Sequence, residues 1–246
     1  MKFDIYIPGQ PINPAGQALM QMLLDYAPGA SYADMMRLRL SGKVADQCSD
    51  TYFAAYEDGV CYSRLWNGWG VHKDAVGNFG NFLTLEQCRG QGIGKKMLQL
   101  WYDNLQNRRD KPLALFCSAN ERVADLYYAY GFRPATAGGH LYLPLGDSPE
   151  AFEQFCENYY TPSDILITRP ATVQYRHEID CLLRFAMINA GEDFDIGPIH
   201  KIEDALLYHP GKAQMLFTEN GCCVGWRIEE ATRIHPQYQN AKIIKE

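Results

Sequence analysis

Apolar residues recur along this chain in two rhythms, every second position or every third and fourth, and the switches between them mark its elements. Phe3-Asp4-Ile5-Tyr6-Ile7 has the rhythm of a strand, and Pro8-Gly9 breaks it. From Ala15 to Tyr26, Leu19, Met22, Leu23 and Tyr26 share one helical face. A second helix, capped by Ser31, carries Met35, Met36, Leu38 and Leu40 up to Gly42. Residues 51–56 and 60–66 flank Glu57-Asp58-Gly59, whose Asp-Gly pair favours a β-hairpin. Asn67-Gly68-Trp69-Gly70 reads as another turn, and residues 76–85 as a returning strand. A helix with Ile93, Met97, Leu98, Trp101 and Leu105 on one face follows, then a strand over 113–117. A helix over 119–130 turns Val123, Ala124, Tyr127 and Tyr130 inward and ends at Gly131. An antiparallel pair closes this part, around 132–133 and 141–143. The order β-α-α-β-β-β-α-β-α-β-β predicts an α/β protein with a mixed sheet, residues 93–108 supplying the crossover that a parallel pair needs.

Beyond residue 146 the pattern starts again. Asp147-Ser148-Pro149-Glu150 opens a linker helix (147–162) with Phe152, Phe155, Cys156 and Tyr159 on its apolar face, and Thr161-Pro162-Ser163 breaks it. The tail, 163–246, echoes the head at an offset of roughly 160 residues. Residues 164–170 repeat the strand-then-break form of 3–9, Leu182-Leu183-Arg184-Phe185-Ala186 echoes Leu23-Leu24-Asp25-Tyr26-Ala27, and Glu219-Asn220-Gly221 echoes Glu57-Asp58-Gly59. Two readings stay open: half of a second unit, or coincidence among common patterns. Strands are expected at 165–168, 213–218 and 222–228, with an extended or loosely ordered end after Ile228. So small a sheet needs cover on its edge and face. The tail is therefore expected to dock its sheet on the first unit, or on a second copy in a homodimer, with Phe152, Phe155 and Tyr159 as the bridging face.

Composition narrows the function. The 246 residues carry a formal net charge of -6 and no basic stripe, which argues against a nucleic-acid partner and fits a cationic small substrate. No run is apolar enough to span a membrane, and Met1-Lys2-Phe3-Asp4 does not read as a secretory leader. The eight cysteines are scattered outside any C-x-x-C pair, as expected of reduced thiols in a cytoplasmic protein without a zinc site.

The candidate chemistry lies in Arg89-Gly90-Gln91-Gly92-Ile93-Gly94-Lys95-Lys96, between a strand and a helix. Such a loop leaves the first N–H groups of the helix unpaired and pointing one way, an arrangement suited to a phosphate. An ordinary tight turn has the same residues. A nucleotide-triphosphate loop needs Gly-Lys-Ser/Thr, which is missing, and a dinucleotide fingerprint needs an acidic end to the next strand, where Ser118 stands. Downstream, Ser118-Ala119-Asn120-Glu121 reads as a capping box with Ser118 as N-cap.

The two segments together resemble the GNAT N-acetyltransferase superfamily, over about the first 145 residues. That family shows Arg/Gln-x-x-Gly-x-Gly/Ala after its fourth strand, here Arg89, Gly92 and Gly94, and an Asn…Ala…Leu-Tyr…Gly-Phe pattern in its fourth helix, here Asn120, Ala124, Leu126, Tyr127, Gly131 and Phe132. The resemblance implies acetyl-CoA as co-substrate and no metal. The N–H groups of Gly90, Gln91, Gly92, Ile93, Gly94 and Lys95 would hold the pyrophosphate, and Arg89 would be a further cofactor-binding residue. The backbone of Phe82, Leu83 and Thr84 would pair with the pantetheine arm in a splay between two parallel strands, and Asn120 would bond the arm near its thiol. Tyr127 stands where the family often places a general acid. A phenol of pKa about 10 facing a thiol of about 8.5 acts mainly as a hydrogen-bond donor to the developing thiolate. The base stays open. The family's glutamate positions fall on Val76 and Leu115, while His72, Asp74, Glu86 and a water chain are the alternatives. The expected activity is N-acetyl transfer to a primary amine of a small molecule. A protein-amine acetyltransferase and a non-catalytic acyl-CoA-binding module are the other readings.

Overall fold

The computed structural model describes residues 1–25, 29–136, 139–187 and 197–246, so Tyr26 and the Ser31 and Glu121 side chains lie outside the described residues. The first unit runs β1 (Lys2–Tyr6), α1 (Pro14–Asp25), α2 (Ala30–Leu40), β2 (Cys48–Glu57), β3 (Val60–Gly70), β4 (Gly77–Thr84), α3 (Ile93–Asn107), β5 (Ala114–Ser118), α4 (Glu121–Tyr128), β6 (Arg133–Thr136) and β7 (His140–Pro144). Its strands form one seven-stranded sheet in the order β1-β2-β3-β4-β5-β7-β6. Neighbours are antiparallel except β4 and β5, which α3 connects as a crossover. One sheet face packs Leu65, Trp69, Phe79 and Leu115 against Met97 and Trp101 of α3 and Tyr127 of α4. The other packs Tyr52, Ala54 and Trp66 against Leu19, Met22 and Leu23 of α1.

The turn expected at 67–70 is instead the end of β3. A Cβ at Gly70 would lie 2.1 Å from the Gln174 carbonyl oxygen, so this glycine makes room for another segment rather than for a bend. Trp66 and Trp69, three positions apart on a strand, point to opposite faces and are buried in different clusters. Residues 147–150 do not begin the linker helix. α5 (Phe152–Tyr159) starts at Phe152, because the Ser148 hydroxyl donates to the Leu113 carbonyl at 2.7 Å and ties this stretch to the sheet as a turn.

The tail contains β8 (Ile165–Pro170), α6 (Arg176–Cys181), a π-helical turn over Leu182–Met187, α7 (Gly197–Tyr208), β9 (Ala213–Thr218), β10 (Cys223–Ile228), β11 (Ala231–Ile234) and β12 (Lys242–Lys245). Its sheet order is β11-β10-β9-β8-β12. From β8 to β11 the order of elements and the antiparallel neighbours match those from β1 to β4. β12 has no counterpart there. It runs parallel to β8, Lys242 opposite Ile165 and Ile244 opposite Ile167, so of the extended or loosely ordered end expected after Ile228 the extended form is found, paired into the sheet. The segment reads as polar because it is a short edge strand flanked by lysines, and buried Tyr238 anchors it by donating from its hydroxyl to the Thr161 carbonyl at 2.8 Å.

The tail meets the first unit through two helices, not through its sheet: α6 lies on β3 and β4, and α7 on α2. Phe152 and Phe155 reach the first unit, the Phe155 ring lying 5.9 Å from Phe116 and 5.2 Å from Tyr142. Tyr159 stacks on Phe155 at 5.4 Å. No described helix is long and apolar enough to cross a membrane. All eight cysteines are free thiols, and no group of three or more His, Cys, Asp or Glu side chains among the described residues is placed to hold a metal ion.

Candidate functional site

β4 and β5 pair at only two positions, Gly77 with Leu115 and Asn78 with Phe116. Beyond Asn78, β4 stays on β3 while β5 leaves, and a wedge opens between them. Two residues of β4, Asn81 and Phe82, oppose Leu65 alone on β3, a bulge with Asn81 at φ 51°. The bulge bends the strand where the wedge begins, and it turns the backbone of Phe82, Leu83 and Thr84 toward an unpartnered edge. The sequence carried a signal for it in Gly80-Asn81, since asparagine tolerates the left-handed region better than most residues.

The glycine loop lies at the wide end of the wedge. Gly90 and Gly92 both have left-handed backbones, at φ 76° and 75°, and nothing lies within 4 Å of where their Cβ atoms would be. Gly92 is the N-cap of α3, whose first internal bond runs from the Lys96 N–H to the Gly92 carbonyl. The six N–H groups from Gly90 to Lys95 have no acceptor among the described residues. Arg89 folds back, its Nε donating to the Thr84 carbonyl at 3.1 Å, and Gln91 donates to the Gln87 carbonyl. Six free donors converging at a helix N-terminus, with open space above them, fit a pyrophosphate. Of the residues expected there, the N–H groups of Gly90 to Lys95 are brought together, while the Arg89 N–H is already bonded to the Glu86 carbonyl.

Tyr127 stands on α4 under the wedge, edge-on to Phe79 at 5.0 Å and beside Phe132 at 5.5 Å. Burial raises its pKa above the ordinary phenol value, with the neighbouring Cys117 adding to the rise, so the hydroxyl keeps its proton at neutral pH. Asn120, not Ser118, is the N-cap of α4: its Oδ1 accepts from the Val123 N–H at 3.2 Å, leaving its amide NH2 as the group turned elsewhere. Ser118 ends β5 and is held away from a capping position by His140 Nδ1 at 3.0 Å and by Arg184. Of the alternatives for a base, His72 is 2.9 Å from Glu178 at the opposite end of β4, and Asp74 and Glu86 are exposed outside the wedge.

On the other face of the sheet a pocket of about 250 Å³ opens at the narrow end of the wedge, lined among others by Trp66, Asn78, Phe116, Arg176, Asp180 and Arg184. Three of those come from the tail, and sequence reasoning had not singled them out. Their four-residue spacing, 176, 180 and 184, was the available signal, because it places them on one helical face. Asn78 organises this wall. Its Nδ2 donates to Asp180 Oδ2, and its Oδ1 lies 2.7 Å from His177 Nδ1, which must therefore carry the proton. Burial, with Arg39 and Arg176 nearby, pushes the His177 pKa well down, so the ring is neutral. Arg184 Nε donates to Asp180 Oδ2 at 2.8 Å.

The pocket's remaining wall rests on a buried ion pair. Arg39, only 1% exposed, donates from Nε to Asp50 Oδ2 at 2.9 Å and from Nη2 to Oδ1, while Trp66 Nε1 donates to the same Oδ1 at 2.8 Å. Asp50→Ala would strand a guanidinium with no water to take its charge. It is expected to lower unfolding free energy by about 3–5 kcal/mol, read by urea denaturation. A loss below about 1 kcal/mol would mean that Arg39 finds another partner.

Residues 48–134 match the family described as acetyltransferase (GNAT) domain. No protein with a curated description matches the chain. Among solved structures, an acyl-CoA N-acyltransferase from Pseudomonas aeruginosa is 18% identical, with a TM-score of 0.42, over 57% of this chain and 96% of its own. ElaA from Escherichia coli is 12% identical, with a TM-score of 0.42, over 58% of this chain and 97% of its own. The matched segment contains the strand wedge, the glycine loop and the helix of Tyr127, so residues 48–134 are the part of the chain that carries the GNAT acetyltransferase pattern.

Proposed function

We propose that the protein transfers the acetyl group of acetyl-CoA to a primary amine of a small molecule. The observation that carries this reading is the wedge between β4 and β5, with six unpaired N–H donors at one end and a 250 Å³ pocket at the other. Gly90 to Lys95 would bind the pyrophosphate through the backbone, and Phe82, Leu83 and Thr84 would offer a strand edge to the pantetheine amides. The bound thioester supplies an activated acyl carbon and a thiolate leaving group. The C–N bond would form as the C–S bond breaks, with one amine proton lost to solvent and one to the departing thiolate, while the chain's own residues bind and orient. Tyr127 holds its proton and offers it as a hydrogen bond to developing negative charge, because its raised pKa makes full transfer to a thiolate unfavourable. The Asn120 amide is free to orient the arm while its oxygen caps α4. A pocket walled on both sides favours a small acceptor over a polypeptide.

The test is release of free thiol from acetyl-CoA across a panel of small amines, with Tyr127→Phe beside the natural chain. Tyr127→Phe removes one hydroxyl and little volume. It is expected to lower kcat by about ten- to a hundredfold with acetyl-CoA affinity unchanged. An unchanged kcat with chemistry rate-limiting would remove Tyr127 from the mechanism, and coenzyme binding without turnover of any amine would remove the transfer itself.

A further inference from the structure

The pocket's tail-derived wall has charge of both signs arranged along one helix face. Arg176 and Asp180 lie four residues apart on α6, about 6 Å along the axis, and both line the pocket. Each spends part of its hydrogen-bonding capacity on the fold and keeps part unspent. Arg176 Nε donates to Glu203 Oε1 at 2.6 Å, and neither terminal nitrogen has a partner among the described residues. Asp180 Oδ2 accepts from Asn78 and Arg184, and Oδ1 has no partner among the described residues. Neither the Arg176 terminal nitrogens nor Asp180 Oδ1 is sealed from a probe the size of water, unlike the buried orphan atoms elsewhere in the chain.

The consequence is a pocket with a guanidinium fork at one place and a bare carboxylate oxygen at another. A guanidinium fork recognises a carboxylate or a phosphoryl group through two parallel bonds. A carboxylate oxygen recognises an ammonium. Asp180 is bonded to Asn78, and Asn78 is the last residue of β4 to pair with β5, so the ammonium end of a ligand lies at the narrow end of the wedge. The volume, equal to about eight waters, suits a molecule of amino-acid size. Resting on the acetyltransferase reading above, we propose that the acceptor is a small amine carrying its own anionic group, the amine read by Asp180 and the anion by Arg176. Both are specificity-determining residues supplied by the tail.

The test uses the full chain and matched pairs: glycine, β-alanine and γ-aminobutyrate against their amides, and 2-aminoethyl phosphate against ethanolamine. Thiol release is measured with acetyl-CoA, and binding is measured separately by calorimetry on the protein saturated with coenzyme A. At least one acid is expected to exceed its neutral partner by about ten- to a hundredfold in kcat/KM and in affinity. The arm that responds tells carboxylate from phosphate. Arg176→Lys keeps one cation for Glu203 but removes the fork, and the preference should fall to near unity. Asp180→Asn should keep the preference for acid over amide while erasing the preference for glycine over glycolate, and it serves alone if Arg176→Lys fails to fold. Equal handling of acids and neutral partners by the natural chain, or a preference that survives Arg176→Lys, overturns the proposal. Acid-selective binding that Arg176→Lys abolishes, without turnover of any amine, would uphold it while refuting acetyl transfer. Absence of both selective binding and selective turnover refutes it outright.

Discussion

Gly92→Val is expected to weaken acetyl-CoA binding by about two to four orders of magnitude in a chain that still folds. Hydrogen bonds to a charged group contribute about 1.5–3 kcal/mol each, and at least two of the six donors from Gly90 to Lys95 lose their aim if the loop changes shape. The strain favours such a change, because Gly92 sits at φ 75° and a β-branched residue resists that region at a cost of about 1–3 kcal/mol. If the backbone holds instead, the new side chain fills the open space above the loop, where a pyrophosphate would sit. Both routes end in lost binding. Nothing within 4 Å of the new Cβ is displaced, so the fold survives, and a thermal melt beside the calorimetry separates the two effects. A folded variant with natural affinity would remove the loop from the cofactor site.

Expressing residues 1–146 alone is expected to give insoluble or unfolded protein. Cutting there strips Phe152, Phe155 and Cys181 from a cluster that covers Val76, Ala114, Phe116 and Tyr142. The two phenylalanines alone contribute about 3–6 kcal/mol of burial. The cut also unpairs polar groups. Asn78 loses Asp180 and His177, and the Val76 N–H loses Glu178. Water replaces those partners, so each lost bond costs only its net worth of about 0.5–1.5 kcal/mol. The sum reaches the lower part of the whole stability of a domain, about 5–15 kcal/mol. A soluble monomeric fragment with the melting temperature of the full chain would show the tail to be a separate appendage.

How much was legible follows from which forces act locally. The strand, glycine loop and helix around Gly92 could be read because each depends on its own neighbours: apolar alternation before, positive φ within, an amphipathic face after. Tyr127 could be placed for the same reason. The end of β3 could not, since Gly70 is a glycine on account of Gln174, more than a hundred residues away. Asn120 and Ser118 both suit an N-cap, and the choice fell to His140 and Arg184, which hold Ser118 on the strand. The docking element was missed because α6 is buried by polar means. His177, Glu178 and Asp180 are all buried, and their partners are polar groups of Asn78 on β4 and of His72 and Val76 just before it, so hydrophobic periodicity had nothing to detect. The lysine-flanked edge strand β12 escaped for a related reason: its charges are what keep an edge from pairing further.

The walls of the small pocket come from both units, Trp66, Asn78 and Phe116 from one and Arg176, Asp180 and Arg184 from the other. A molecule lodged there would be a non-covalent cross-link between them. By mass action, whatever binds only the closed arrangement tightens the joint by RT ln(1 + [L]/Kd). Such a ligand would raise the free energy needed to part the two units, and slower proteolysis at the Thr161-Pro162-Ser163 junction in its presence would report that gain.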